Sequence, residues 1–356
     1  MKLISLVLFF CMTFILSAKD ILLTSPDILI NGSKYITKKS SVIHLDRFDS
    51  DVLKIPKKEL GLNPKNAVNN TGMSIVLNTN SKSVIYKFLL KNVNWMGAGF
   101  TVFEDGVPVK DFHFKKQFNN KIVEIKVPLK GEKVSEIEIS LPSFSSADLL
   151  KLSVDDDAVV KPVKQLKKIY VALGDSISHG VGQDGFSSKT WPFLLSKKLN
   201  AELFNLAVGG AKVSVPVGKM LSQWKKIDYI TILVGYNDIH FDKKSTELYI
   251  KKYNELLDAI RKNHKESKIF VITPLFTLKP VEEKTGVSLE DYRSALVKLV
   301  KKRQKRDNNI FLIEGNKITS IKNLRKNTKD PVHMSIEGAS MFVDKLYKII
   351  KSKLNL

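Results

Sequence analysis

Polar and apolar residues alternate along the first part of the chain and then give way to longer apolar blocks. Ser74 to Leu90 holds two short alternating runs on either side of the polar Asn78-Thr79-Asn80-Ser81. Phe100-Thr101-Val102-Phe103 runs into Glu104-Asp105-Gly106, a turn signal, and on to Val107-Pro108-Val109. Lys121 to Val127 and Glu136 to Leu141 also alternate. A two-residue period puts successive side chains on opposite faces of a strand. Short strands with turn residues between them predict an antiparallel sandwich, one face of each sheet wet. No helical pattern of useful length interrupts this stretch.

The pattern changes after Asp155-Asp156-Asp157 and Lys161-Pro162, which read as a linker. Apolar strands at about 168–173, 203–207, 228–234, 268–273 and 309–313 alternate with helical segments near 189–199, 245–263, 290–305 and 336–353. Such alternation predicts a parallel sheet covered by helices on both faces. The expected organisation is a signal peptide over 1–18, a jelly-roll-like β-sandwich over 19–155, a linker over 156–166 and an α/β catalytic domain over 167–356.

The signal peptide rests on Met1-Lys2, the apolar run Leu3 to Leu16 and the small Ser17-Ala18 before Lys19-Asp20. That run is short for a membrane span, and no later segment is long and apolar enough for one. The expectation is therefore a secreted or periplasmic protein without a transmembrane segment once the signal is removed. Cys11, the one cysteine of the chain, leaves with the signal. That excludes disulfides, thiolate metal sites and cysteine nucleophiles from the mature chain. The formal charge of +22 invites a nucleic-acid reading. Yet only 6 of the 58 basic residues are arginine, the side chain best suited to phosphate forks, and no cluster interleaved with aromatics appears. Nucleic acid is not expected as a partner, whereas attraction to an anionic surface, such as a cell-wall polymer or lipid headgroups, fits the charge, and so does a lysine-biased composition alone.

Ligands of parallel sheets bind outside the carboxyl ends of the strands, so those ends hold the candidate chemistry. The first strand ends in Gly174-Asp175-Ser176, a hydroxyl just past a tight turn. The second leads to Ala207-Val208-Gly209-Gly210, where a main-chain N–H can be offered without a side chain in the way. The third ends in Gly235-Tyr236-Asn237-Asp238; Asn237 can cap the next helix or donate its amide to a developing oxyanion. Near the C-terminus comes Asp330-Pro331-Val332-His333. An aspartate three residues before a histidine can hold one imidazole nitrogen while the other takes a proton from a serine. His179, Tyr236, His240 and Trp191 lie on or near these loops and are candidates for the substrate pocket. His44, His113 and His264 fit structural or exposed positions better.

In these blocks the chain resembles the SGNH hydrolases, a branch of the GDSL esterases and lipases, over about 167–353. Ser176 matches the family nucleophile, Gly210 and Asn237 the oxyanion-hole donors, and Asp330 and His333 the Asp-x-x-His block. Thr190-Trp191-Pro192 resembles a helix start common after the nucleophile loop, and His179 departs from the Gly or Thr that many members carry there. The resemblance implies a flavodoxin-like parallel sheet and a triad of Ser176, His333 and Asp330. The oxyanion hole would comprise the Ser176 and Gly210 N–H groups and the Asn237 amide, with no metal and no cofactor. Gly97-Ala98-Gly99-Phe100, Asp105-Gly106 and Leu141-Pro142-Ser143-Phe144 resemble the β-sandwich that precedes the catalytic domain in some two-domain bacterial SGNH carbohydrate esterases.

One motif competes. Gly180-Val181-Gly182-Gln183-Asp184-Gly185 fits the dinucleotide pattern, which requires the glycines to turn directly from strand into helix. Here the motif begins well past the strand end, and the glycines are expected instead to make the nucleophile loop flexible. The combined reading is an exported serine ester hydrolase acting on O-acyl, chiefly O-acetyl, groups of carbohydrate or cell-wall polymer. A lipid esterase or lysophospholipase, an O-acetyltransferase and a non-catalytic glycan-binding protein are the alternatives.

Overall fold

The computed structural model describes residues 18–242, 245–326 and 329–354. The expected signal peptide therefore lies outside the described residues except for Ala18, which opens the strand Ala18–Asp20.

Two antiparallel sheets form the first half. One runs in the order Tyr35–Lys39, Val42–Asp46, Ser146–Asp155, Ser83–Lys91, Ile122–Pro128, with Ala18–Asp20 also paired to Ser146–Asp155. The other runs Val160–Lys161, Ser74–Thr79, Ser135–Ser140, Ala98–Glu104, Val107–Phe114, with Leu29–Asn31 on Ser74–Thr79. Their facing side chains, among them Val84, Tyr86, Phe88, Phe100, Val102, Ile125, Ile137 and Leu152, make one sandwich core. The hairpin at Asp105-Gly106 has both residues at positive φ, +51° and +78°. This is the two-residue turn that Asp-Gly favours, because its twist matches that of the strands.

The expectation of one wet face per sheet holds for Ile122–Pro128, whose residues alternate exposed and buried. It fails for the second sheet, where every residue of Ala98–Glu104 is buried. The outer face of that sheet packs on the second half: Phe103 stacks on Phe193, and the Gly99 strand bridges to Phe186. Val160–Lys161, expected to be linker, pairs with Ser74–Thr79 and extends the same sheet.

The second half contains a five-stranded parallel sheet ordered Glu202–Asn205, Ile169–Gly174, Tyr229–Leu233, Lys268–Ile272, Ile310–Ile313. This is the flavodoxin-like order, with its switch point beside the first strand. Alternate residues of each strand serve opposite faces. Val171, Ile230, Ile232 and Val271 meet Thr246–Asn263 and Leu289–Gln304. Tyr170, Ala172, Phe270 and Ile272 meet Trp191–Leu199 and Ile336–Leu354. Phe48, Leu60, Leu62 and Ala67 belong to the first of these cores, not to the sandwich. The segment holding them carries three four-residue helices, Ser50–Leu53, Lys57–Leu60 and Pro64–Ala67, which the sequence pattern did not disclose. Helices of one turn have no periodicity to read.

Candidate active site

Ser176 stands two residues past the end of the strand Ile169–Gly174. Gly174 has to be glycine, since a Cβ there would lie 2.3 Å from Ser178 Oγ. Asp175 then caps the one-turn helix Ser176–His179 by accepting the Ile177 N–H. Gly180 closes that helix at φ +116°, a conformation glycine adopts without penalty. The turn leaves Ser176 half-buried at the carboxyl edge of the sheet.

His333 Nε2 lies 2.8 Å from Ser176 Oγ. On its other side His333 Nδ1 is 2.9 Å from both oxygens of Asp330. Asp330 Oδ1 also accepts the main-chain N–H groups of Val332 and His333, and Arg325 donates to Oδ2. Burial alone would raise the Asp330 pKa. The hydrogen bonds and charge of His333 outweigh it and hold this carboxyl well below the usual carboxylate range. An ionised Asp330 fixes the proton of neutral His333 on Nδ1 and leaves Nε2 facing the hydroxyl as acceptor.

Gly210 follows a loop whose other polar groups are committed. Ala207 N–H goes to Asn205 Oδ1, Val208 N–H to the Gly174 carbonyl and Gly209 N–H to His179 Nδ1. The Ala211 carbonyl accepts the Asn237 side-chain amide at 2.9 Å. Gly210 itself sits at φ +80°, and a Cβ on it would meet nothing within 4 Å. Neither the Ser176 nor the Gly210 N–H meets an acceptor among the described residues. Asn237 uses one amide hydrogen on Ala211 and keeps a second. The arrangement thus offers a hydroxyl, a base and uncommitted N–H donors on one sheet edge, the requirements of acyl transfer.

Residues 172–340 match the GDSL-like lipase/acylhydrolase family. This half of the chain is a GDSL-like acylhydrolase domain. The fold is shared with a salicylyl-acyltransferase from a tetracycline biosynthetic pathway, with TM-score 0.82 at 18% identity over 94% of this chain and 97% of that one. A family two carbohydrate esterase from Clostridium thermocellum in complex with cellohexaose gives 0.64 at 17% over 92% and 99%. An acetyl xylan esterase from the rumen bacterium Butyrivibrio proteoclasticus gives 0.63 at 12% over 96% and 100%. A stretch of 144 residues is 26% identical to an uncharacterized protein of Mycoplasma pneumoniae, covering 36% of this chain and 16% of that protein's length.

The acylhydrolase domain places the four pocket candidates differently. Tyr236 and His240 flank Asn237 on one short helix, their rings 4.4 Å apart, with His240 Nδ1 3.3 Å from Glu282. Both are partly exposed. Trp191 is a correction: it is wholly buried, edge-on to Phe342, because its place at the first turn of Trp191–Leu199 faces the core. His179 is another. It is wholly buried and stacks on Phe144 at 3.9 Å. Its Nε2 lies 2.8 Å from the Ser143 carbonyl, which can only accept, so Nε2 carries the proton and Nδ1 receives the Gly209 N–H. Burial and the nearby charge of Arg47 push its pKa well down, so the ring is a neutral brace behind the loop.

The glycines of the competing motif are also corrected. Gly182 packs where a Cβ would be 2.2 Å from the Met334 carbonyl, and at Gly185 one would be 2.8 Å from the carbonyls of Met96 and Gly97. They permit close approach, not slack.

Sequence reading missed the residues that brace the site. Arg47, only 1% exposed, comes from the first half and directs all three side-chain nitrogens at main-chain carbonyls. Its Nε reaches Asn69, Nη1 reaches Asn205 and Ala207, and Nη2 reaches Asn66. Asn66 passes the restraint on by donating to the Gly209 carbonyl. Asn205, wholly buried, joins the Ser178 carbonyl to the Ala207 N–H. No local pattern marks such residues, since their partners are far along the chain. Among the described residues no helix is long and apolar enough to cross a membrane, and no group of three metal-binding side chains occurs.

Proposed function

We propose that the chain is an exported serine esterase that hydrolyses O-acyl, chiefly O-acetyl, esters on carbohydrate through an acyl-enzyme. The observation that carries this reading is the 2.8 Å approach of His333 Nε2 to Ser176 Oγ, with Asp330 on the far side of the ring. Ser176 Oγ attacks the ester carbonyl while His333 takes its proton, and Asp330 stabilises the imidazolium. The oxyanion takes the N–H groups of Ser176 and Gly210 and the free amide hydrogen of Asn237. His333 then returns the proton to the departing alcohol, and water repeats the sequence to release the acid. No step calls on a metal or cofactor.

Carbohydrate as substrate is supported by the likeness of both halves, taken together, to carbohydrate esterases such as the acetyl xylan esterase. Labelling with a fluorophosphonate probe, lost in Ser176→Ala, tests the nucleophile. Release of acetate from acetylated oligosaccharides, set against p-nitrophenyl esters of rising chain length, tests the substrate. Preference for long acyl chains would transfer the reading to lipid esters. Acyl transfer to a second hydroxyl, the activity named for the salicylyl-acyltransferase, uses the same acyl-enzyme. Acetylated acceptor forming in place of free acetate would identify it.

A further inference from the structure

A cleft of about 540 Å³ has Gly209 and Gly210 in its wall. Four lysines from three separate segments line it: Lys57 and Lys58 of Lys57–Leu60, Lys212 of the loop after Gly210, and Lys252 of Thr246–Asn263. Its single carboxylate, Asp242, lies 2.8 Å from Lys212 Nζ. Among the described residues no carboxylate pairs with Lys57, Lys58 or Lys252. Asn63 spends its side-chain oxygen on the Lys65 N–H, which leaves its amide nitrogen to donate. Phe241, 71% exposed, contributes an apolar surface to the lining.

The chain is rich in lysine throughout, so the comparison that matters is with another basic cleft. The one formed by Lys225, Lys226, Lys262, Lys265 and Lys268 lies at the opposite edge of the parallel sheet, where strands begin. It contains Asp228 and Glu266, and Lys226 is paired with Asp228 at 2.7 Å. The two clefts carry the same formal net charge, so what sets the one beside Gly210 apart is its place: it shares a wall with the proposed oxyanion hole. A cleft with one sign of charge concentrates counter-ions of the other sign.

We infer that this cleft is a subsite for a phosphate group carried by the acylated substrate. The inference rests on the esterase reading and deepens it. Three ammonium groups without partners match a phosphate monoester, which carries about 1.5 to 2 negative charges near neutral pH, better than a single carboxylate. The ester would lie over Ser176 with the phosphate beyond Gly210.

The test compares 1-O-acetylglycerol with 1-O-acetylglycerol 3-phosphate, which differ only in the phosphate. The expected preference is at least about tenfold in kcat/KM, carried mainly by KM and shrinking as ionic strength rises. The variant Lys57→Gln/Lys58→Gln/Lys252→Gln, checked for an unchanged melting profile, should lose the preference. The charge-matched Lys225→Gln/Lys226→Gln/Lys265→Gln should keep it. Calorimetric titration with glycerol 3-phosphate reads the subsite without turnover. Lysine-dependent binding without hydrolysis of either ester would sink the esterase reading and leave the subsite standing. Equal hydrolysis of both esters would overturn the subsite alone. Equal preference for an acetylated glyceric acid, or binding confined to anionic phosphatidylglycerol vesicles, would also overturn the phosphate assignment.

Discussion

Replacing Arg47 by methionine isolates the contribution of the sandwich half to the chemistry of the other half. The substitution keeps an apolar stem of similar reach and removes four hydrogen bonds, of 2.6, 2.7, 2.7 and 3.2 Å, to the carbonyls of Asn69, Asn205, Ala207 and Asn66. A buried acceptor left without a donor costs about 1–3 kcal/mol. Some of that is offset, because burial already opposes the guanidinium charge and pulls its pKa below the usual arginine value. A net loss of about 3 kcal/mol follows, which for a chain of 356 residues is a fall in Tm of about 4 °C. Stability is only half of the expectation. The Ala207 carbonyl is three residues from Gly210, and Asn66, held by the same guanidinium, fixes the Gly209 carbonyl. Once the loop is released, its N–H no longer meets a developing oxyanion at the right distance. The kcat should fall by about 100-fold, the scale of losing one oxyanion donor, with KM little changed. Thermal unfolding by circular dichroism and p-nitrophenyl acetate kinetics well below Tm read the two effects separately. Arg47→Lys should recover only part of each, because one ammonium cannot serve four divergent carbonyls. A less stable Arg47→Met protein with wild-type kcat would refute the claim that this side chain positions the loop.

Three further outcomes are expected. Ser176→Ala should lower turnover of p-nitrophenyl acetate by several orders of magnitude and abolish fluorophosphonate labelling; unchanged kinetics in the folded variant would remove the mechanism. Asn237→Ala should reduce kcat by about 100- to 1000-fold with a much smaller change in KM, and a pure KM effect would contradict its role as an oxyanion donor. Asp175, buried beside Asp238, has its pKa pushed up to about 7, chiefly by loss of hydration. A raised carboxyl pKa means that the folded state holds its proton longer than the unfolded one. Its contribution is complete below about pH 4 and is lost as pH rises through 7. Asp175→Asn, which can still accept the Ile177 N–H through its side-chain oxygen, should therefore match wild type in denaturant stability near pH 4. It should exceed it by up to about 4 kcal/mol at pH 8.5. Parallel pH profiles for the two proteins would show that the carboxyl is not desolvated as the fold implies.

The extent to which the sequence disclosed this molecule follows the range over which each feature acts. The parallel strands were legible because burial on both faces makes them short apolar runs, and the four long helices because each buries one face against a neighbour and so carries a period. Thr246–Asn263, with Tyr249, Tyr253, Leu256, Leu257 and Ile260 inward, is an example. Ser176, Gly210 and Asn237 could be expected on one edge because strand ends of a parallel sheet share it, and Asp330 and His333 were proposed as their partners from the Asp-x-x-His spacing before the last helix. Trp191 and His179 were misplaced for one reason: proximity in sequence to a loop says nothing about which way a side chain turns. The Trp191 ring follows the helix face into the core, and the His179 ring is drawn backward by the Ser143 carbonyl and the Gly209 N–H. The segment Phe48 to Ala67 was assigned to the wrong layer because its one-turn helices show no pattern. Its destination depends on Leu60 and Leu62 joining the core that holds Val213 and Val217, some 150 residues on.

That segment alters what the sandwich half does in the molecule. The sequence allowed an accessory module joined by a linker. In the fold Arg47, Asn66, Thr71 and Ser143 all hydrogen-bond to the strand-end loops: Arg47 to Asn205 and Ala207, Asn66 to Gly209, Thr71 to the His179 carbonyl and Ser143 to the His179 ring. A loop that presents a single N–H to an oxyanion needs its remaining groups fixed, since catalysis by such donors depends on their being aligned before the charge develops. The acylhydrolase sheet supplies the strand ends, but Gly209 is fixed on one side by Asn66 and on the other by a histidine braced on Ser143. Separating the halves would leave these loops without half of their restraints, and would strip one wall, Lys57 and Lys58 included, from the cleft beside Gly210. The sandwich is thus part of the candidate site by construction, although none of its side chains is assigned a role in the proposed chemical steps.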